Sequence, residues 1–131
     1  MKKILALLLT LVMVLPLVAF ADEAGYEIAM VTDVGNIDDQ SFNQFSWEGV
    51  KTYAEAAGKT YSYYRPSEDS NEARVETMKA AIDKGAKVVV CPGYLFEESI
   101  YEMQNDYPEV SFLLLDGEPH TADYTTYETA A

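Results

Sequence analysis

The stretch Asp33-Val34-Gly35-Asn36-Ile37-Asp38-Asp39-Gln40-Ser41-Phe42-Asn43 gathers carboxylates, amides and an aromatic ring into one short segment. Carboxylates accept hydrogen bonds from a ligand's N–H and O–H groups, an amide both donates and accepts, and an aromatic ring offers a face for stacking. Gly93-Tyr94, Asp116-Gly117 and Arg65-Pro66-Ser67 are smaller clusters of the same kind. Together they are equipped to bind, and the parts of a catalytic machine are missing. His120 is the only histidine and is expected as an exposed loop residue; no Gly-x-Ser-x-Gly occurs, so no Ser/His/Asp set can be assembled. No Cys/His spacing fits zinc, and no glycine pattern fits a phosphate cradle. Asp33, Asp38 and Asp39 invite a hard cation, yet their spacing lacks the third-position ligand, the glycine and the distal glutamate of a calcium loop. Asp38 and Asp39 are therefore expected at a helix N-terminus, where they favour its dipole. Neither a metal nor a cofactor is expected.

These residues need elements to hold them, and the apolar pattern supplies those elements. Glu27 to Thr32 (EIAMVT) has no polar alternation, which predicts a strand buried on both faces. From Ser41 the period changes: Phe42, Phe45, Gly49, Tyr53 and Ala57, with Val50 and Ala54 alongside, predict a helix with one apolar stripe. Asp39 or Ser41 would cap it, Gly58 would end it in a left-handed conformation, and Trp47 would serve its packing. Thr60 to Tyr64 reads as a strand broken by Arg65-Pro66, with Tyr61, Tyr63 and Tyr64 covering an outer strand. Val75, Met78, Ile82 and Gly85 mark a second helix, capped by Ser70 or Asn71. A third strand follows at Lys87 to Cys91, then a helical stripe of Phe96, Ile100, Met103 and Tyr107 that stops before Pro108, then a fourth strand at Ser111 to Leu115.

The order β-α-β-α-β-α-β with short connections predicts an α/β fold, a parallel sheet with helices on both faces. Ligands of such sheets bind outside the carboxyl ends of the strands, which is where every cluster above falls. Phe42 has two readings. A ring on a helical stripe ordinarily packs in a core, but this one opens a helix at the carboxyl edge of the first strand and can face the crevice. Asp116 either caps the next turn or meets a ligand's donors. Cys91, the only cysteine, permits no intramolecular disulfide and, without basic neighbours, is expected to pack as a small apolar group.

Lys2 and Lys3, the apolar run from Ile4 to Val18 and the Ala19-Phe20-Ala21 end predict a secretory signal over residues 1–21, removed after Ala21. One α/β unit, residues 22–131, remains. The chain carries 9 basic and 22 acidic residues, and loss of the two leader lysines makes the rest more acidic still. Nucleic acid and anionic membrane surfaces are improbable partners for it. Four strands followed by an acidic tail without a clear period read as an unfinished sheet.

The segment Val31 to Gln44, followed by Trp47-Glu48-Gly49, resembles the basic membrane protein family, the purine-nucleoside receptors of ABC importers. Val88 to Tyr94 and Phe112 to Asp116 fall where that family's third and fourth strands lead into the cleft. The resemblance runs from about Tyr26 onward and implies a type I periplasmic-binding-protein fold, of which this chain is the incomplete first lobe, either a fragment or a truncated gene product. It further implies that Asp33 and Asp116 hydrogen-bond the ligand, that Asn43 is an amide partner and that Phe42 stacks on the base. Tyr94 is a candidate for the cleft wall. The implied partners are a small molecule, a purine nucleoside, and a membrane permease, with the receptor a monomer in the periplasm or at the cell surface. Unlike much of the family, the chain has no cysteine at the predicted cleavage point. Other readings are a sugar or autoinducer receptor of the same fold, a small extracytoplasmic enzyme using Asp33 and Asp116 as an acid/base pair, and a truncated product that binds nothing.

Overall fold

The computed structural model describes residues 25–123, so the predicted signal segment lies outside the described residues. Within them the chain forms β1 (Ile28–Val31), α1 (Phe42–Ala57), β2 (Tyr61–Tyr64), α2 (Asn71–Asp83), β3 (Val88–Pro92), α3 (Glu97–Asp106) and β4 (Ser111–Leu115), with a 3-10 turn at Tyr94–Phe96 leading into α3. The predicted element order is therefore the observed one. All pairings are parallel, and the sheet runs β2-β1-β3-β4. The chain leaves β1 toward β2 on one side and returns past β1 to β3 on the other. That reversal makes the carboxyl ends of β1 and β3 the topological switch point.

Because right-handed crossovers in opposite directions land on opposite faces, α1 covers one face while α2 and α3 cover the other. Two cores result. On the α2/α3 face, Ala29, Val31, Val89 and Cys91 pack with Val75, Met78, Phe96, Ile100 and Met103. On the α1 face, Ile28, Met30 and Val90 pack with Val50 and Ala54. Since β1 is buried on both sides, all four of its residues are inaccessible, as the unalternating run required. β2 and β4 are the edge strands, and at β2 Trp47 rests against Tyr61 and Tyr63 with ring centroids 5.5 and 5.2 Å apart.

The stripe predicted for α1 needs correcting. Asn43, Val50 and Ala54 are its buried residues, whereas Phe45 and Tyr53 are 64% and 65% exposed. Phe42, Phe45, Gly49 and Tyr53 instead line a groove of about 630 Å³ beside Val88, Val90, Leu113 and Leu115. Two neighbouring stripes share the helical period, and the strand order decides which of them meets the sheet.

Helix ends follow local chemistry. Gly58 closes α1 at φ 64°, and its neighbour Lys59 donates to the Ala54 carbonyl. Ser70 caps α2 by accepting from Ala73 N–H at 3.1 Å. At α1 the residue in the cap position, Ser41, makes no side-chain cap bond; Asp39 does the work, its Oδ1 accepting from the backbone N–H of Ser41 and of Gln44.

Candidate ligand-binding site

The loop from β1 into α1 is organised around one buried amide. Asn43, 1% exposed in the first turn of α1, donates through Nδ2 to Asp33 Oδ1 at 2.6 Å and to Asp39 Oδ2 at 3.0 Å. Its Oδ1 accepts from the Asp33 backbone N–H at 3.2 Å. Both amide protons are thus spent on carboxylates, and the loop is tied to the helix at two points. Asp33 Oδ1 accepts as well from Gly35 N–H at 2.6 Å. A side chain at position 35 would put a Cβ 2.6 Å from Asn43 Nδ2, so the crossing of loop and amide requires glycine there.

Asp39 feels opposing effects. Partial desolvation raises its pKa, but the N–H groups of Ser41 and Gln44 and the Asn43 amide outweigh that and hold it below the ordinary aspartate value. Among the described residues no three His, Cys, Asp or Glu side chains come together as a metal set would.

The other candidate residues join this loop through a chain of contacts. Phe42 precedes Asn43, and its half-exposed ring lies over Gly93, 3.8 Å from where a Cβ would stand. Gly93 N–H donates to the Leu115 carbonyl at 2.8 Å, which brings Asp116 beside it. Asp116 adopts φ 61°, a left-handed conformation that aspartate tolerates better than most residues, and its side chain is exposed. Tyr94, 68% exposed, opens the turn that follows Gly93. Asp33, Phe42, Asp116 and Tyr94 are therefore gathered at the carboxyl ends of β1, β3 and β4. Asn43 belongs to the same group but faces inward, holding Asp33.

The larger apolar groove touches this group only through Phe42 and Leu115. It runs down the sheet toward Ile28 and Val88, away from the carboxylates, and Ser46 and Tyr53 are the hydroxyl-bearing side chains in its lining.

His120 corrects an expectation. It is partly buried, with Nε2 2.8 Å from Glu97 Oε2 and Nδ1 2.6 Å from the Thr121 carbonyl. Glu97 Oε1 also accepts from Glu118 N–H at 3.0 Å, so the segment after Asp116 is fastened to the first turn of α3. Sequence reading missed this pair because its partners stand 23 residues apart. The Thr121 carbonyl, and after it the Glu97 carboxylate, raise the His120 pKa against the opposing pull of desolvation. With the folded pKa above the unfolded value, the pairing stabilises fully below about pH 6.5 and is lost as pH rises through the folded pKa. As the chain's one histidine, His120 gives an unambiguous proton NMR signal. Its midpoint is expected above about 6.5 and is expected to fall in Glu97→Gln; a wild-type midpoint at or below the ordinary value would remove the pair.

Cys91 sits fully buried at the end of β3, where desolvation pushes its thiol pKa well up. It is a packing group, as its surroundings in sequence implied.

Comparison with known proteins gives this geometry relatives. A family model described as ABC transporter substrate-binding protein PnrA-like matches residues 26–126. A CD4+ T-cell-stimulating antigen of Listeria monocytogenes is 31% identical over 94 residues, which cover 70% of this chain and 26% of that protein. The ABC transporter nucleoside-binding protein BmpA of Lactococcus lactis is 25% identical over 92 residues, covering 67% of this chain and 26% of its own. Among solved structures, an ABC transporter solute-binding protein from Aeropyrum pernix superposes with a TM-score of 0.59 at 27% identity, over 66% of this chain and 23% of that one. The chain thus spans about a quarter of the length of the curated relatives it matches.

Proposed function

Because the chain belongs to the Bmp family of PnrA-like ABC transporter substrate-binding proteins, we propose that it forms the first-lobe half of a purine-nucleoside site. The complete receptor would hold its ligand outside the cytoplasmic membrane and pass it to a membrane permease without chemistry. The observation that carries this reading is the gathering of Asp33, Phe42 and Asp116 at the switch point of a parallel sheet. The name of the Lactococcus lactis relative supports the choice of nucleosides.

Phe42 presents a ring that can stack on a planar base, and its seat over Gly93 fixes the height of that stack. Asp33 is aimed before any ligand arrives, since Asn43 and Gly35 already orient its carboxylate. Pre-aimed acceptors spend less ordering entropy on binding than mobile ones. Asp116, exposed at the end of β4, would accept from a second edge donor or a sugar hydroxyl. Tyr94 would wall the opening, and Asn43 acts as a positioning residue for Asp33.

The test is calorimetric titration of inosine into the whole receptor. Asp33→Ala removes a charged hydrogen bond and is expected to weaken binding by about 1.5–3 kcal/mol. Unchanged affinity in that variant, with wild-type protein binding inosine, would remove Asp33 from the site. No inosine binding by the wild type would overturn the nucleoside assignment itself.

A further inference from the structure

Thr32 extends the buried run of β1 and is itself fully buried, yet its hydroxyl oxygen meets no hydrogen-bond partner. Valine has the same branched shape and would fill such a place without stranding a polar atom. The residue lies in the wall of a cavity of about 540 Å³ formed between the loop after β1 and the end of β2, together with Asn36, Ile37, Asp38, Tyr63 and Arg65. Pockets for small molecules run from roughly 300 to 1,000 Å³, so this one is of working size.

Its walls are chemically mixed and partly pre-aimed. The Arg65 guanidinium donates to Asn36 Oδ1 at 2.6 Å and to the Val34 carbonyl at 3.2 Å, which fixes the plane of its donor fork. Tyr63 presents a ring that is 44% exposed and braced edge-on by Trp47. Asp38 contributes an exposed carboxylate. Three ligand classes fit poorly. An anion meets Asp38 and a chain of net charge −13, a cation meets Arg65, and an apolar molecule leaves the Thr32 hydroxyl unpaired.

We propose that this cavity is a second binding site, for a small neutral polyol of the size of a pentose sugar. Neighbouring hydroxyls of such a ligand donate to Asp38 and accept from Arg65, one of them pairs with the Thr32 hydroxyl, and its C–H face lies on the Tyr63 ring. The site stands apart from the nucleoside reading and does not rest on it. Gly35 is shared, since it borders the cavity on one side and the Asp33–Asn43 bond on the other.

D-ribose titrated into the 131-residue chain and followed by NMR tests it. Shifts are expected at Thr32, Tyr63 and Arg65. Thr32→Val is expected to weaken ribose binding about tenfold, the loss of one hydrogen bond, while leaving the urea midpoint unchanged or raised because no protein partner is lost. Arg65→Gln, at an exposed position, is expected to weaken it as well and carries the test should Thr32→Val disturb the fold. Ribose that moves none of these signals, or binds both variants as well as the wild type, overturns the proposal. Adenine titrated separately addresses the stack of Phe42 over Gly93, so failure of one site is distinguishable from failure of the other.

Discussion

Phe96→Ala is expected to cost the fold about 3–5 kcal/mol, the range for deleting a buried phenylalanine ring. Among the described residues Phe96 is the largest fully buried side chain, and it sits among Met78, Ile100 and Met103, where α2 and α3 meet the sheet. Those neighbours belong to two helices with separate backbones, so the cavity cannot close by a single shift. The ring also lies 5.8 Å from the Arg74 guanidinium, which is 5% exposed and has an Nε without a hydrogen-bond partner. Its loss would strip a cation–π contact from a buried guanidinium that would then keep, among the described residues, only its ion pair with Asp69. Domain stabilities lie at about 5–15 kcal/mol, so one truncation would consume a large share. Urea denaturation should show a lower midpoint at unchanged slope. Phe45→Ala is the control: the same truncation at a residue 64% exposed is expected to shift the midpoint far less. Equal shifts in the two variants would mean that Phe45 in the α1 groove contributes as much to stability as Phe96 at the α2/α3 interface, against the difference in their burial.

That contrast also marks where the sequence stops being legible. Phe96 and Phe45 both stand on helical stripes, and periodicity assigns both to a core. Strand and helix order could be read because the runs EIAMVT, KVVVC and SFLLL are apolar and too short for helices, and prolines and glycines separate them from the helices. The position of the binding loops followed from that order. What could not be read depends on pairs distant in the chain. Which stripe of α1 meets the sheet is settled by β3 lying beside β1, and nothing local to α1 records it. His120 reads as solvent-facing until Glu97 is placed against it. Thr32 looks like an ordinary strand residue, and only the fold shows its hydroxyl stranded at a cavity wall. Asn43 was legible as part of the binding segment, but its inward turn was not, since polar side chains at the start of a helix usually face solvent or cap it.

That inward turn leads to the sharpest test of how the loop is held. Asn43→Asp changes the shape of the side chain very little, yet it replaces the amide that donates to Asp33 and Asp39 with a third acceptor. Two hydrogen bonds become two repulsive contacts at a position 1% exposed. Ionised, the introduced carboxyl would be a buried charge without compensation, at a cost of about 3–5 kcal/mol. Protonated, it could still donate one hydrogen bond, so its pKa in the folded state is raised by its neighbours. A raised folded pKa contributes stability below the unfolded value near 4 and loses it as pH climbs through the folded one. Wild-type Asp39, whose folded pKa is lowered, contributes in the opposite sense: its stabilisation is present at neutral pH and lost as pH falls through the folded value. Urea midpoints measured from pH 4 to pH 7 should therefore show the difference between wild type and Asn43→Asp widening as pH rises. Inosine affinity of the whole receptor should fall along with it, because the same amide that stabilises the loop aims Asp33. A pH-independent difference would mean that the amide is replaceable by water and that the loop is held from elsewhere; a stability loss without a loss of affinity would separate the hold on the loop from the aim of the carboxylate.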